Sequence, residues 1–314
     1  MAIGGTPTVF VTEAGGFIGA ELLKLLVARG HQVFGLAGSP QATQRVRRAG
    51  AIPVAGDLMT PGQWQDEAAS ADCVFHLPPH PFNGFRMSSN HAERITRARV
   101  SMDTHLLDAV GAGATRRIVY AADASCYGAT TDRAITEDAP LRPSAWGQCF
   151  MPALDRVDGY IAAGLPIVTA FPGWVYGNGS WFCERIVKPV TAGRRVLEFG
   201  KPGPWISPIH VHDCARALIH LAERGEVSGR YFLVGSAPVR TLDFATTFAR
   251  LANHPLRVWR VPAALTRLVA GPVLADHVQT NGVFSNIRLR GIGFQFVYPT
   301  IEQGIQEVLG ALHD

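Results

Sequence analysis

The chain predicts an α/β fold: a doubly wound parallel sheet with a smaller C-terminal substrate-binding lobe. Three observations carry this. Apolar runs alternate with helical patterns through the first half, the order in which strands and crossover helices build a parallel sheet. Residues 8–19 read Thr-Val-Phe-Val-Thr-Glu-Ala-Gly-Gly-Phe-Ile-Gly, an apolar strand entering a glycine-rich turn and then a helix, the arrangement that lays a pyrophosphate on a helix N-terminus. After residue 172 the pattern changes to Gly- and Trp-rich segments, as a separate lobe would.

Taken in order, strands are expected at 7–12, 32–37, 51–55, 72–77, 116–122 and 166–171, each a short apolar run bounded by polar or glycine residues. Helices fill the gaps. One runs from Gly16 to Ala28 and ends at Gly30; one spans 41–49; a long one spans 90–111 and ends at Gly111 or Gly113; one spans 146–163 and ends at Gly164. The series is of the Rossmann type. Downstream, an apolar helix is expected at 211–223, a strand at 230–234, and helices at 241–252, 262–274 and 301–311. The division falls at 1–172, a dinucleotide-binding-like domain, and 173–314, mainly a substrate lobe with some return to the Rossmann core. No repeat or linker separates them.

With 314 residues, 47% hydrophobic and 17% charged, the chain can bury a substantial core. Its net charge of +4 is scattered, with only Arg45, Arg47 and Arg48 clustered, so no nucleic-acid stripe is formed and a small-molecule ligand is expected. No apolar run reaches the ~20 residues of a membrane span, and no basic-then-apolar leader opens the chain; a cytoplasmic protein is expected. Five widely spaced cysteines without a Cys-x-x-Cys imply free thiols. His76 with His80 and His210 with His212 lack a third ligand at metal spacing, so no metal is expected.

Several segments together resemble the extended short-chain dehydrogenase/reductases of the NAD-dependent epimerase/dehydratase branch, over nearly the full length. Residues 8–19 resemble Thr-Gly-x-x-Gly-x-x-Gly; Gly56-Asp57-Leu58 the adenine-contacting Asp-Leu; Asp72 to Leu77 the fourth strand; Arg117 to Gly128 the fifth strand with its Val-Tyr-Gly ending. Pro172 to Gly177 resembles the Pro-Gly-Asn-Val-Tyr-Gly turn, and Ser207 to Asp213 the Pro-Val-His-Val-Asp-Asp stretch. The resemblance implies NAD or NADP held by Thr12, Gly15, Gly16, Phe17, Ile18, Gly19, Asp57 and Leu58, and a homodimer through the helices near 90–111 and 146–163.

Departures from the family pattern bear on chemistry. The first fingerprint glycine is Glu13, which places a carboxylate near the pyrophosphate position or turns it to solvent or to the ribose. The second strand ends Leu36-Ala37-Gly38-Ser39, with neither the acidic residue nor the arginine that would choose between NAD and NADP. The family's polarising Ser or Thr is Asp123, and its Tyr-x-x-x-Lys pair is Trp146 and Phe150, neither of which transfers a proton. The only lysines are Lys24, Lys188 and Lys201, none close behind a tyrosine.

Asp123, at the C-terminal end of a parallel strand among small residues, is the candidate general acid or base, with Tyr127 as an assistant; the alternative is a turn cap. Cys126 and Cys149 show no neighbouring base that would make them nucleophiles. Trp146, Phe150, Trp174, Trp181 and Trp205 suggest a cleft for a bulky apolar or aromatic carbonyl compound, although such side chains also build cores. Three functions follow: a non-redox isomerase, cyclase, dehydratase or aldol-type enzyme of specialised metabolism; an NAD(P)H-dependent reductase or epimerase with an unusual proton donor; or a non-catalytic ligand-binding protein.

Overall fold

The computed structural model describes residues 7–79, 86–200, 203–235 and 237–311; His80 lies outside them. In chain order the first six strands are β1 (Thr8–Val11), β2 (Gln32–Ala37), β3 (Ile52–Ala55), β4 (Cys73–His76), β5 (Arg117–Ala121) and β6 (Ile167–Pro172). Between them lie α1 (Phe17–Ala28), α2 (Pro40–Arg48), α3 (Trp64–Ser70), α4 (Ser89–Gly111) and α5 (Met151–Ala162). The second half adds β7 (Trp174–Tyr176), α6 (Lys188–Thr191), β8 (Arg195–Phe199), β9 (Trp205–Ile206), β10 (Pro208–His210), α7 (Val211–Glu223) and β11 (Gly229–Leu233). It closes with β12 (Val239–Arg240), α8 (Thr241–Leu251), β13 (Arg257–Val261), α9 (Ala263–Gln279), α10 (Ile287–Gly291) and α11 (Ile301–Gly310).

Seven parallel strands form the sheet in the order β11-β6-β5-β4-β1-β2-β3. Its strands read as continuous apolar runs because helices cover both faces. Alternation assigns each residue to a face: Val9, Val11, Phe75, Val119 and Val168 pack with α1 and α7, whereas Phe10, Val74, Ile118 and Tyr120 pack with α3, α4 and α5. A third cluster, built on Phe182, Phe244, Phe248 and Ile305, is the core of the small lobe. The chain moves outward from β1 to β3 on one side and from β4 to β6 on the other. The order therefore reverses between β1 and β4, and the crevice beyond their C-terminal ends is where open α/β sheets bind ligands.

Three local departures from expectation have physical causes. The helix expected at 146–163 begins at Met151, preceded by a 3₁₀ turn at Gly147–Cys149. The short helix α3 escapes the periodicity because it buries only Trp64 and Ala68. The helix expected at 262–274 continues to Gln279, broken at Gly271, which adopts φ +78° beside Pro272. A Cβ on Gly271 would fall 2.4 Å from the Met87 carbonyl oxygen, so the break also permits a close backbone approach.

A buried polar chain crosses the switch point. The Thr12 hydroxyl accepts the Leu77 N–H at 2.9 Å and lies 3.0 Å from His76 Nδ1; His76 Nε2 is 2.9 Å from Asp103 Oδ1. Since the Asp103 carboxylate accepts, His76 carries its proton on Nε2 and donates to it, and Nδ1 of the neutral ring accepts from the Thr12 hydroxyl. Tyr120 donates to the other Asp103 oxygen at 2.7 Å, and Arg99 pairs with Asp103 at 3.5 Å. Burial, opposed by Asp103, holds the His76 pKa below its ordinary 6.5. A histidine with a depressed folded pKa contributes stability that is present above the unfolded value and lost as pH falls. We expect the urea midpoint to drop between pH 7.5 and 5.5, and His76→Gln to lower it at pH 7.5 while flattening that decline; an unchanged slope in His76→Gln would remove His76 from the effect.

Candidate active-site cleft

One cleft of about 520 Å³ opens at the switch point, within the ~300–1,000 Å³ typical of small-molecule sites. Its floor comes from segments that follow the strands: Glu13 and Phe17–Gly19 after β1, Leu77–Pro79 after β4, Ala121–Ser125 at the end of β5. Pro172–Val175, Trp181, Arg185, His277 and Thr280–Gly282 complete it. The sheet supplies the fixed side and the second half of the chain the other.

The glycine turn keeps its shape without its first glycine. Glu13 adopts φ +50°, the left-handed region that costs a non-glycine residue roughly 1–2 kcal/mol. Its carbonyl accepts the Gly16 N–H at 2.9 Å, and a Cβ on Gly19 would fall 2.2 Å from that same oxygen, so helix α1 must present glycine there. The Glu13 carboxylate lies against Gly16, with Oε1 2.8 Å from where a Cβ would stand. This is the N-terminal end of α1, which carries no acidic residue of its own in its first turn and attracts anions. Burial pushes the Glu13 carboxyl up, with Arg45 opposing. The backbone cradle thus fits a pyrophosphate, while the ionised carboxylate competes for the same position.

Asp123 lines the cleft with both oxygens engaged: Oδ1 accepts the Ser125 N–H at 2.8 Å, capping a 3₁₀ turn, and Oδ2 accepts the Trp146 indole N–H at 3.3 Å. The capping and cleft readings are therefore both true of one side chain. Trp146 is itself buried behind Asp123 and His277, its ring 4.5 Å from the imidazole. His277 in turn stacks at 5° on Trp174 with centroids 5.6 Å apart, and Trp174 meets Trp181 edge-on at 4.8 Å. Trp181 is fixed by donating Nε1–H to the Val175 carbonyl at 2.9 Å. Arg99 reaches the floor from α4, donating to the Pro78 and Ala121 carbonyls, with its charge 5.8 Å from the Phe150 ring.

Several expected site residues lie elsewhere. Tyr127 is corrected as an acid/base group: it is buried among Phe171, Phe232 and Phe284, donates to the Glu137 carbonyl at 3.0 Å, and burial raises its pKa. Trp205 is corrected as a substrate contact, because its ring lies under the Arg240 guanidinium at 4.7 Å and outside the cleft lining. Trp146 and Phe150 form a second row rather than the wall. Of the cofactor set, Phe17, Ile18 and Gly19 line the cleft; Gly15 packs on Ala42, Gly16 carries the Glu13 carboxylate, and Thr12 is consumed by His76. Asp57 accepts the Met59 N–H and Leu58 is buried with its carbonyl on His105, both beyond the cleft lining. Cys126 and Cys149 are buried thiols raised further by burial, unsuited to nucleophilic attack. His277, Arg99 and Arg185 went unforeseen. Only Arg99 left a trace, the Arg-x-x-x-Asp spacing to Asp103 that marks an ion pair on one helix face.

Among the described residues no three His, Cys, Asp or Glu side chains converge. His210 faces Glu307 at 3.0 Å and His212 faces Glu21 at 2.8 Å. No helix among the described residues is long and apolar enough to cross a membrane.

A parallel sheet that reverses order beside a glycine turn, with a second lobe closing the crevice, defines the extended Rossmann-type short-chain dehydrogenase/reductase class. The chain belongs to the NAD dependent epimerase/dehydratase family, whose sequence profile matches residues 9–235. It is 26% identical over 266 residues, 83% of this chain and 78% of the other, to the 4-hydroxy-2-methyl-3-oxo-4-farnesyl-3,4-dihydroquinoline-1-oxide ketoreductase of Stigmatella aurantiaca. An epimerase family protein of Mycobacterium leprae is 24% identical over 305 residues, 95% of this chain and 94% of its own. Among solved structures, a UDP-glucuronic acid 4-epimerase from Bacillus cereus, in complex with NAD, shares the fold with TM-score 0.82 at 17% identity, covering 98% and 99% of the chains. A human epimerase family protein with NADPH superimposes with TM-score 0.78 at 21% identity, covering 96% and 99%.

The position of Glu13 generates a direct expectation. Like charges about 4 Å apart repel by ~1 kcal/mol in water and more near a protein, so Glu13→Gly should bind NADH or NADPH at least about tenfold more tightly in a calorimetric titration. Because the Glu13 pKa is raised, affinity of the native chain should increase as pH falls and the carboxyl takes up its proton. Equal affinities for the two proteins would show that the carboxylate does not oppose the ligand.

Proposed function

We propose that this chain is an enzyme that moves a proton on a bulky apolar or aromatic carbonyl compound without net oxidation or reduction, with Asp123 taking and returning the proton. One observation carries the reading: the Asp123 carboxylate stands in the cleft, hydrogen-bonded by Trp146, at the corner where the family places its hydroxyl and phenol. Among the described lining residues there is no tyrosine and no lysine, whereas Asp123 and His277 are groups able to carry a proton.

Asp123 would remove a hydrogen from the carbon beside the carbonyl, leaving the bonding pair as an enolate. Return of that proton to a different atom completes an isomerisation; expulsion of a leaving group or attack by the enolate on a second carbon gives elimination or cyclisation. Trp174 and Trp181 would hold the apolar body and exclude water, which strengthens the interaction of the carboxylate with its target. The ketoreductase relative supports the substrate class, since its name denotes a ketone on a farnesylated dihydroquinoline oxide.

A second reading, dinucleotide-dependent reduction, is favoured by the retained left-handed turn at Glu13 and by the same relative. A bound nicotinamide would supply hydride; this chain's part would be to receive the pyrophosphate on the amino end of α1 at Phe17 and Ile18, and to deliver a proton from Asp123.

The readings separate in deuterium oxide. Incubated with a panel of ketones carrying a fused or attached aromatic ring, headed by 2-tetralone, and no cofactor, the protein should introduce solvent deuterium beside the carbonyl, read by mass spectrometry. Asp123→Asn should slow this by about 10²- to 10⁴-fold, the usual contribution of general acid–base catalysis, with ligand affinity nearly unchanged. Deuterium appearing in product only from 4-deuterated NADH or NADPH would replace the first reading by the second, and exchange that survives in Asp123→Asn would remove Asp123 from the mechanism.

A further inference from the structure

Arg185 lines both the main cleft and a side recess of about 50 Å³ that also takes in Trp174, Trp181 and Glu198. Two charged groups near it, Arg99 and Glu198, are already balanced. Arg99 is neutralised by Asp103 and by two backbone carbonyls. Glu198 is taken by Arg260 at 2.8 Å and by the Gly203 N–H. For the Arg185 guanidinium, by contrast, no hydrogen bond, ion pair or ring contact is found among the described residues. Arg185 itself remains exposed to water, and partial burial lowers its pKa with no nearby anion opposing the shift.

The backbone that carries Arg185 is also unusual. Residues Cys183–Val187 form a π-helical turn between Trp181 and α6. Such a turn holds one residue more than an α-helical turn, rotates the side chains on either side of it relative to each other, and is found disproportionately at functional sites. Here it places Arg185 in the same lining as Trp181 and Trp174, and the remaining recess is apolar, with Ile186, Val196, Phe199, Leu242 and Val278. A solvent-facing guanidinium without a counter-charge, set in the lining beside two tryptophans, offers charge and apolar surface together to an anion attached to a flat apolar body.

We infer that Arg185 is the specificity-determining residue of this cleft, and that the ligand is an apolar aromatic compound carrying one carboxylate-sized oxyanion, which the guanidinium binds while the ring lies against Trp174 and Trp181. The inference rests on the reading of the cleft as the site of an apolar carbonyl compound and narrows it to acidic members of that class. A planar guanidinium meets a carboxylate through two parallel N–H donors, so the match is one of geometry as well as charge.

The test uses binding rather than turnover, so that it stands or falls separately from Asp123. The full chain is titrated with 2-naphthoate and with its uncharged counterpart 2-naphthamide, following tryptophan fluorescence, with thermal melting as a check on folding. Native protein should prefer naphthoate by about 10- to 100-fold, the worth of a hydrogen bond to a charged group. Arg185→Gln should erase the preference by weakening naphthoate alone, Arg185→Lys should keep part of it, and Trp174→Ala should weaken both compounds together. Equal binding of the two compounds by native protein, failure of both to bind, or a preference that survives in Arg185→Gln overturns the inference. If the preference depends on Arg185 while Asp123→Asn leaves proton exchange untouched, the ligand class stands and the catalytic reading falls.

Discussion

A carboxylate sealed from water ties together the strand ends on which the cleft is built. Asp103, fully buried on α4, receives hydrogen bonds from His76 on β4 and Tyr120 on β5, and an ion pair from Arg99 one helical turn earlier. His76 passes the chain on to Thr12, the residue just after β1. A buried ion costs several kcal/mol unless its lone pairs are met, so these partners are not interchangeable with an arbitrary polar set. Because His76 lies on β4, Tyr120 on β5 and Thr12 just after β1, satisfying Asp103 fixes the carboxyl ends of β1, β4 and β5 relative to one another. The residues that follow those ends are Glu13, Leu77 to Pro79, and Ala122 to Ser125, which is to say the cleft floor.

Arg99 extends the same constraint into the site. Its guanidinium binds the Pro78 and Ala121 carbonyls on either side of the switch point while its charge is met by Asp103. The Asp123 charge acts on Arg99 as well, so the corner carries two carboxylates and one arginine rather than a lone anion. Phe150 receives the charge of this same arginine over its ring. At this corner an indole N–H, a carboxylate and a guanidinium therefore stand together, the guanidinium supplied by the helix that carries Asp103.

The sheet was legible in the sequence because burial on both faces leaves strands as unbroken apolar runs, and the Rossmann order followed from their spacing with the glycine turn. The interior polar chain was not legible. Arg99, Asp103 and His76 are residue types that periodicity assigns to water, and only three-dimensional closure shows that they complete one another. Aromatic residues gave a mixed result for a related reason. Trp174 and Trp181 do line the cleft, but Trp146 and Phe150 stand one layer behind it and Trp205 belongs to a strand pair, since position along the chain does not reveal the depth of a side chain. His277 was hidden by the Gly271-Pro272 break, past which the helical pattern could not be followed.

The two ends of the cleft chemistry fit a single ligand better than they fit separate roles. Glu13 and Asp123 are both anionic side chains in the lining, and Arg99 is neutralised within the protein, which leaves Arg185 as the cation available to a ligand among the described lining residues. A dinucleotide would set its pyrophosphate on the retained turn with the Glu13 carboxylate against it. A compact acid with an aromatic body places its charge on Arg185 and its rings on the tryptophans, and is left with its neutral carbon acid as the part that can lie near Asp123 without repulsion. For the acidic ligand proposed above, the charge distribution in the cleft would order its groups along it, the oxyanion toward Arg185 and the neutral carbon acid toward Asp123.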